Sequence, residues 1–281
     1  MTHFARMRVS DIPFAVKLSS QEEWGTPPSD FMRILRLDPH GSFVAFDGDS
    51  QVGMITTMTF GRELAWIGNV IVNKNHRGKH IGQGLMDCAI HHLTKLQVRH
   101  IGLYSFNDNV GFYEKLGFVR STQFVRLRRP RGMLRTCEHE SRKQPSLSQV
   151  LSMDRRAFGA DRSKLIRSWI REESGAYFGF ANGKTSGFLL VKKYSTAFEF
   201  GPGGAFSASE VDLSKLLAKS MEYAWRKPIE VSCLTRNRSM LKLLAEYGFR
   251  TVNRGFRMFR NHDASLGSDR SAILIGFLDK G

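Results

Sequence analysis

The stretch VIVNKNHRGKHIGQGLM, Val70 to Met86, decides how the rest of the chain is read. An apolar, β-branched run ends at Val72. A loop carrying Arg77, Gly78 and Lys79 follows. Leu85, Cys88, Ala89, His92 and Leu93 then recur at helical spacing, so the order is strand, loop, helix near Gly82. The first N–H groups of a helix lack intrahelical partners, and the helix dipole makes that end positive. Glycine lets an anion approach the main chain closely. The stretch therefore suits a phosphate or diphosphate. It is neither a Rossmann glycine fingerprint nor a P-loop, since the further glycines and the Lys-Ser/Thr pair of those motifs are missing.

Working outward, the same order of elements occurs twice. GFYEKLGFVRSTQFVRLRR (Gly111 to Arg129) resembles KLLAEYGFRTVNRGFRMFR (Lys242 to Arg260), and GSFVAFDGDSQVG (Gly41 to Gly53) resembles GAYFGFANGKTSG (Gly175 to Gly187). Two blocks in the same order at nearly the same offset indicate a duplicated unit. Each unit opens with helical segments: IPFAVKLSS and PSDFMRILRL in the first, LSQVLSMDRRAF and RSKLIRSWIREE in the second. A hairpin follows, turning at DGDS or at ANGKTS. In the first unit AWIGNVIV, the loop, its helix, the strand HIGLYSF, a short helix and the strand TQFVRLRR close the unit. The expected class is α/β (α+β): two tandem domains, each a mixed, mostly antiparallel central sheet flanked by helices. The expected division is 1–130, a basic polar linker at 131–146, and 147–281.

The chain has 281 residues, long enough for two domains. Its 41% hydrophobic content can fill real cores, which argues against wholesale disorder. A formal charge of +16 suits nucleic acid, an anionic surface or a polyanionic small ligand. Cys88, Cys137 and Cys233 are far apart and form no CxxC, so neither a disulfide framework nor a zinc site is expected, and Cys88 reads as a core thiol. No apolar stretch reaches the length of a membrane span, and the first residues lack a signal-peptide core. A cytoplasmic protein with no membrane partner and no metal is the expectation.

VxVxxxxRGxxIG followed by a helix resembles the acyl-CoA-binding motif of the GNAT superfamily of N-acetyltransferases. Its core here is Arg77, Gly78, Lys79, His80, Ile81 and Gly82, with His80 standing where the first core glycine is expected. NDNVGFYEKLGF, Asn107 to Phe118, resembles the second signature of that superfamily. The resemblance implies acetyl-CoA as co-substrate. Main-chain contacts would come from Val70, Ile71 and Val72, and Asn107 would touch the pantetheine arm. Tyr113 would be the acid that protonates the departing thiolate, as a phenol within hydrogen-bond reach can do. It also implies direct transfer to a primary amine of a small molecule or peptide, with a strand N–H stabilising the oxyanion. The segment QEEWGTPPSD would line the acceptor side, which offers Glu22, Glu23, Trp24 and Asp30 as acceptor contacts. No residue stands out as general base, and His76 and His80 lie on the phosphate side.

The second half resembles the C-terminal domain of YitH/HolE-type acetyltransferases through DRRAFGADRSKLI, FGPGGA and TRNRSMLKLLAEYGFR. It has no RGxxIG; FGPGGAFSASEVDLSKLL takes that place, with Glu210 and Asp212 where phosphate would sit, and Leu244 replaces Tyr113. A degenerate half that shapes the acceptor pocket is the expectation. The competing reading is a non-catalytic basic module of the same fold that holds RNA or another polyanion. The arginines are not interleaved with aromatics, so a nucleic-acid partner is not expected. Acceptor identity, acyl-chain length and homo-oligomerisation stay open.

Overall fold

A computed structural model describes residues 1–132, 144–172, 175–261, 271–276 and 278–281. The first half runs β1 (Thr2–Arg6), α1 (Ile12–Gln21), α2 (Pro28–Leu37), β2 (Phe43–Asp47), β3 (Ser50–Phe60) and β4 (Leu64–Val72). It continues with α3 (Ile81–Lys95), β5 (His100–Phe106), α4 (Val110–Lys115) and β6 (Val119–Arg129). The second half repeats this order with α5 (Leu147–Phe158), α6 (Ser163–Arg171), β7 (Gly175–Asn182), β8 (Thr185–Lys193) and β9 (Phe198–Phe206). Then come α7 (Glu210–Ala224), β10 (Ile229–Leu234), α8 (Arg238–Glu246), β11 (Arg250–Arg260) and a short β12 (Ala272–Leu274). Pro28 opens α2, a position where its missing N–H costs nothing. Both expected hairpins form, turning at Gly48 (φ +60) and Gly183 (φ +54). Most of the expected linker, 133–143, and Cys137 lie outside the described residues.

The strands form one sheet in the order β1-β2-β3-β4-β5-β11-β6-β10-β9-β8-β7, with β12 on β9. The β4–β5 and β9–β10 pairs are parallel, and the others are antiparallel. The sheet departs from the sequence reading at its centre. TQFVRLRR does not close the first unit against β5. Instead β6 lies between β11 and β10, while β11 lies between β5 and β6. The two halves have exchanged their last strands. The physical reason is that β6 and β11 have similar sequences, so either can complete either edge, and partner choice is set by long-range packing.

Alternation along β4 sends Ala65 and Ile67 to one face and Trp66 to the other. The first face is covered in the first half by α3 and α4, through Leu85, Leu93 and Tyr113. On the second face, α1 and α2 share a single core with α5 and α6: Phe31, Ile34 and Trp66 pack in one cluster with Val150, Trp169 and Phe188. Cys88 is half-buried, contrary to its reading as a core thiol, because α3 turns that position toward its flank; Cys233 is buried.

Two openings in the sheet follow from this topology. The β4–β5 ladder runs only through Leu64–Trp66 against His100–Gly102, and beyond it the strands part. A bulge in β4 accompanies the split. Met54 pairs with Ile71 and Thr56 with Gly68, so Asn69 and Val70 share one partner position, and Asn69 takes φ +49. In the second half the β9–β10 ladder likewise ends at Phe200 and Val231. There the chain fills its own gap. Ala272 and Leu274 pair with β9, and the Ile275 N–H donates to the Ser232 carbonyl of β10 at 2.8 Å.

Candidate acyl-donor and acceptor site

The mouth of α3 is where the sequence placed it. Arg77 clamps the loop from within. Its Nε donates to the Val72 carbonyl at 3.1 Å, and its terminal nitrogen meets Glu22 at 2.5 Å. Gly78 takes φ +78, with nothing within 4 Å of where a Cβ would sit. His80, the N-cap of α3, takes φ +59 and supplies no side-chain cap. That is the left-handed backbone glycine adopts readily, and His80 holds it at a cost of roughly 1–2 kcal/mol. Among the described residues, the N–H groups of Gly78 through Gln83 have no partner. Lys79 and His80 are exposed beside them. Gly82 has room too: a Cβ there would touch Phe112 and Val72 only at ordinary contact distance. This open row of donors at the positive end of a helix fits a diphosphate.

The parted strands continue the site inward. Asn73 N–H donates to the Val52 carbonyl at 2.8 Å, which makes Gly53–Val72 a pair whose polar groups do not face each other. The Val72 amide therefore points away from β3 toward the opening, while its carbonyl is held by Arg77. Val70 and Ile71 border the same gap. Asn107 sits exposed in the turn between β5 and α4. Tyr113 on α4 is buried, its ring edge-on to Phe112 and to Phe118 with centroids 5.0 and 6.2 Å away. Burial pushes its phenol well above the usual range, so it stays in the proton-bearing form.

The four acceptor-side candidates separate. Glu22 is engaged with Arg77 on the phosphate side. Glu23 takes φ +59 at the surface, and Trp24 is exposed. Asp30 alone turns inward: it is 4% exposed and meets Arg33, Lys280 and the Tyr194 hydroxyl. Burial by itself would raise the Asp30 carboxyl, but Lys280, Lys192 and Arg33 together hold it below the usual carboxylate range. His76 lies 3.8 Å from Asp47, away from this cluster.

Sequence reasoning missed Asn69, Asp279 and Lys280. Asn69 donates to Thr56 at 3.0 Å and to Asp279 at 3.2 Å, and Lys280 donates to Asp279 at 2.6 Å. The one available signal was Gly68 inside an otherwise continuous strand, since an interior glycine often marks a bulge or a close backbone approach. A second correction concerns FGPGGA. It is strand, part of β9, and only Ser207–Ser209 form the loop before α7. At that mouth Ser209 and Asp212 close a capping box, so the donors open at α3 are partly satisfied at α7. A cavity of about 410 Å³ beside it is lined by Arg156, Phe206, Ser207, Leu213 and Asn237. Among the described residues, no helix is long and apolar enough to cross a membrane.

The profile of the Acetyltransferase (GNAT) family matches residues 10–118, and that of an Acetyltransferase (GNAT) domain matches residues 150–273. A mycothiol acetyltransferase of Geodermatophilus obscurus is 32% identical over 128 residues, 40% of this chain and 41% of that protein. The chain thus spans about two fifths of that relative's length. Among solved structures, a Pyrococcus horikoshii protein described as a candidate acetyltransferase superposes with a TM-score of 0.82 at 24% identity, covering 100% of this chain and 96% of that one. A tandem GNAT protein from the clavulanic acid biosynthesis pathway gives 0.67 at 14% identity, covering 95% and 100%. At these identities the likeness is one of fold.

Proposed function

Since the chain belongs to the GNAT acetyltransferase family, as a tandem of two of its domains, we propose that its first half transfers an acetyl group from acetyl-CoA to a primary amine. The carrying observation is the row of unpartnered amides from Gly78 to Gln83 at the end of a strand that has parted from its neighbour. Acetyl-CoA, when bound, supplies an acyl group activated as a thioester. The amides at the α3 mouth hold its diphosphate, with Lys79 and His80 adding charge nearby. The free edge of Val70, Ile71 and Val72 and the exposed Asn107 orient the arm that follows. The Tyr113 phenol, kept protonated by burial, gives its proton to the sulfur. The amine must arrive from the other face of the opening, where Asp30 lies. The name of the relative from Geodermatophilus obscurus supports acetyl transfer. The second half serves as a partner wall, its own gap being filled by residues 271–275.

The test is a thermal-shift titration with acetyl-CoA beside a thiol-release assay over a panel of primary amines. Acetyl-CoA is expected to raise the Tm at micromolar concentration. Arg77→Glu, which unclamps the loop and adds a carboxylate, should abolish the shift. Tyr113→Phe should keep the shift and lower kcat about 100-fold, the low end for a positioned acid. No Tm shift in the wild-type protein would sink the proposal.

A further inference from the structure

The face of the β4–β5 opening away from α3 and α4 is closed by the chain itself. Trp66 Nε1 donates to the Leu278 carbonyl at 3.1 Å. Asp279 lies on Gly68 so closely that a Cβ there would fall 2.0 Å from the Asp279 carbonyl oxygen. Gly281 rests on Trp66 and Phe158, and its carbonyl accepts from Arg162. Between them Lys280 is 1% exposed, with its ammonium 3.2 Å from Asp30 and 2.6 Å from Asp279.

This is a costly way to fill space. A buried ammonium loses several kcal/mol of hydration, and its carboxylate partners only offset that. An apolar side chain would pack the same volume at less expense. What the arrangement does achieve is to seat a primary ammonium on a four-carbon stem beside the bulge of β4. The Asn69 Oδ1 atom is also buried there and accepts from nothing among the described residues. An oxygen acceptor is therefore left beside the bulge, where an N–H could use it. An amine approaching from the face opposite the donor site must take this volume.

We propose that Leu278–Gly281 is an intramolecular competitor of the acceptor, with the Lys280 ammonium standing where the acceptor's ammonium binds and Asp30 as the residue that binds it. The substrate class this selects is an unbranched primary alkylamine, either free or as a lysine-like side chain. The inference rests on the first half being the acyl-transfer site. Asp30 recruits the cation and is not the base, because its cationic neighbours keep it ionised. The nitrogen sheds one proton to solvent and attacks. The new N–C bond forms as the C–S bond breaks, the sulfur takes the Tyr113 proton, and the amide nitrogen's second proton restores the phenol through solvent.

The experiment compares the full-length wild-type protein with Lys280→Ala, using n-butylamine as acceptor, since it reproduces the lysine side chain. A site blocked most of the time shows an apparent affinity reduced by its open fraction. Lys280→Ala should therefore lower the KM for n-butylamine by about tenfold while the acetyl-CoA Tm shift is retained. A second measurement uses the wild-type protein alone: saturating n-butylamine should speed amide hydrogen exchange at 278–281. An unchanged KM in a folded Lys280→Ala, or unchanged exchange at 278–281 while n-butylamine is being acetylated, overturns the competitor and leaves the enzyme standing. Failure of acetyl-CoA to bind either protein removes the enzyme reading and this inference with it.

Discussion

His80 shows how a single residue can depart from a motif and keep its geometry. Where the superfamily motif has glycine, His80 adopts φ +59 and still presents its N–H at the mouth of α3. Its side chain contributes no cap, so the strain is uncompensated locally. His80→Gly should relieve it and raise stability by about 1 kcal/mol, seen as a higher urea midpoint, with acetyl-CoA affinity equal or tighter. A lower midpoint would mean that the imidazole makes a contact the backbone argument omits. The same scale separates what was legible from what was not. Arg77, Gly78 and Tyr113 stood out because each belongs to a local run that is recognisable by itself, and the structure places the first two just before α3 and the third on α4. Asp30 was one of four equal candidates, since only tertiary packing distinguishes the carboxylate that turns inward from those that stay outside. Lys280 gave no sign, because its partners are far away in sequence.

At the scale of elements, the contrast between α3 and α7 is the clearest difference between the halves. Both helices follow a strand that parts from its parallel neighbour. The α3 mouth leaves its amides open, whereas at α7 the Ser209 hydroxyl accepts from the Asp212 amide at 3.2 Å and the Asp212 carboxylate accepts from the Ser209 amide at 2.9 Å. Ser209→Ala should cost about 1 kcal/mol of stability, the usual price of a lost N-cap, and leave the acetyl-CoA dissociation constant unchanged. A weakened affinity would assign cofactor contacts to the second half. The second half lacks RGxxIG in sequence, and the structure puts a Ser209–Asp212 capping box at the start of the corresponding helix. That β9 runs through FGPGGA was hidden because glycine and proline are both depleted in strand interiors. That β12 fills the gap was hidden because so short a strand has no periodicity of its own.

Across the whole molecule, duplication was readable and the exchange of last strands was not. The repeat is a property of local patterns, present wherever similar segments recur. The choice of β11 rather than β6 as the neighbour of β5 depends on how two similar strands share one sheet, and no local pattern encodes it. The exchange has a consequence for the site. It binds the halves through β6 and β11, and the shared core of α1, α2, α5 and α6 places second-half residues such as Tyr194 against Asp30. On the proposed reading the donor side belongs to the first half, while both halves enclose the acceptor side around Asp30. Amide hydrogen exchange of the wild-type protein with and without acetyl-CoA tests this most directly. New protection is expected at residues 70–72 and 78–83 and none at 203–212. Protection at 203–212, or none at 78–83 under saturating acetyl-CoA, would contradict it.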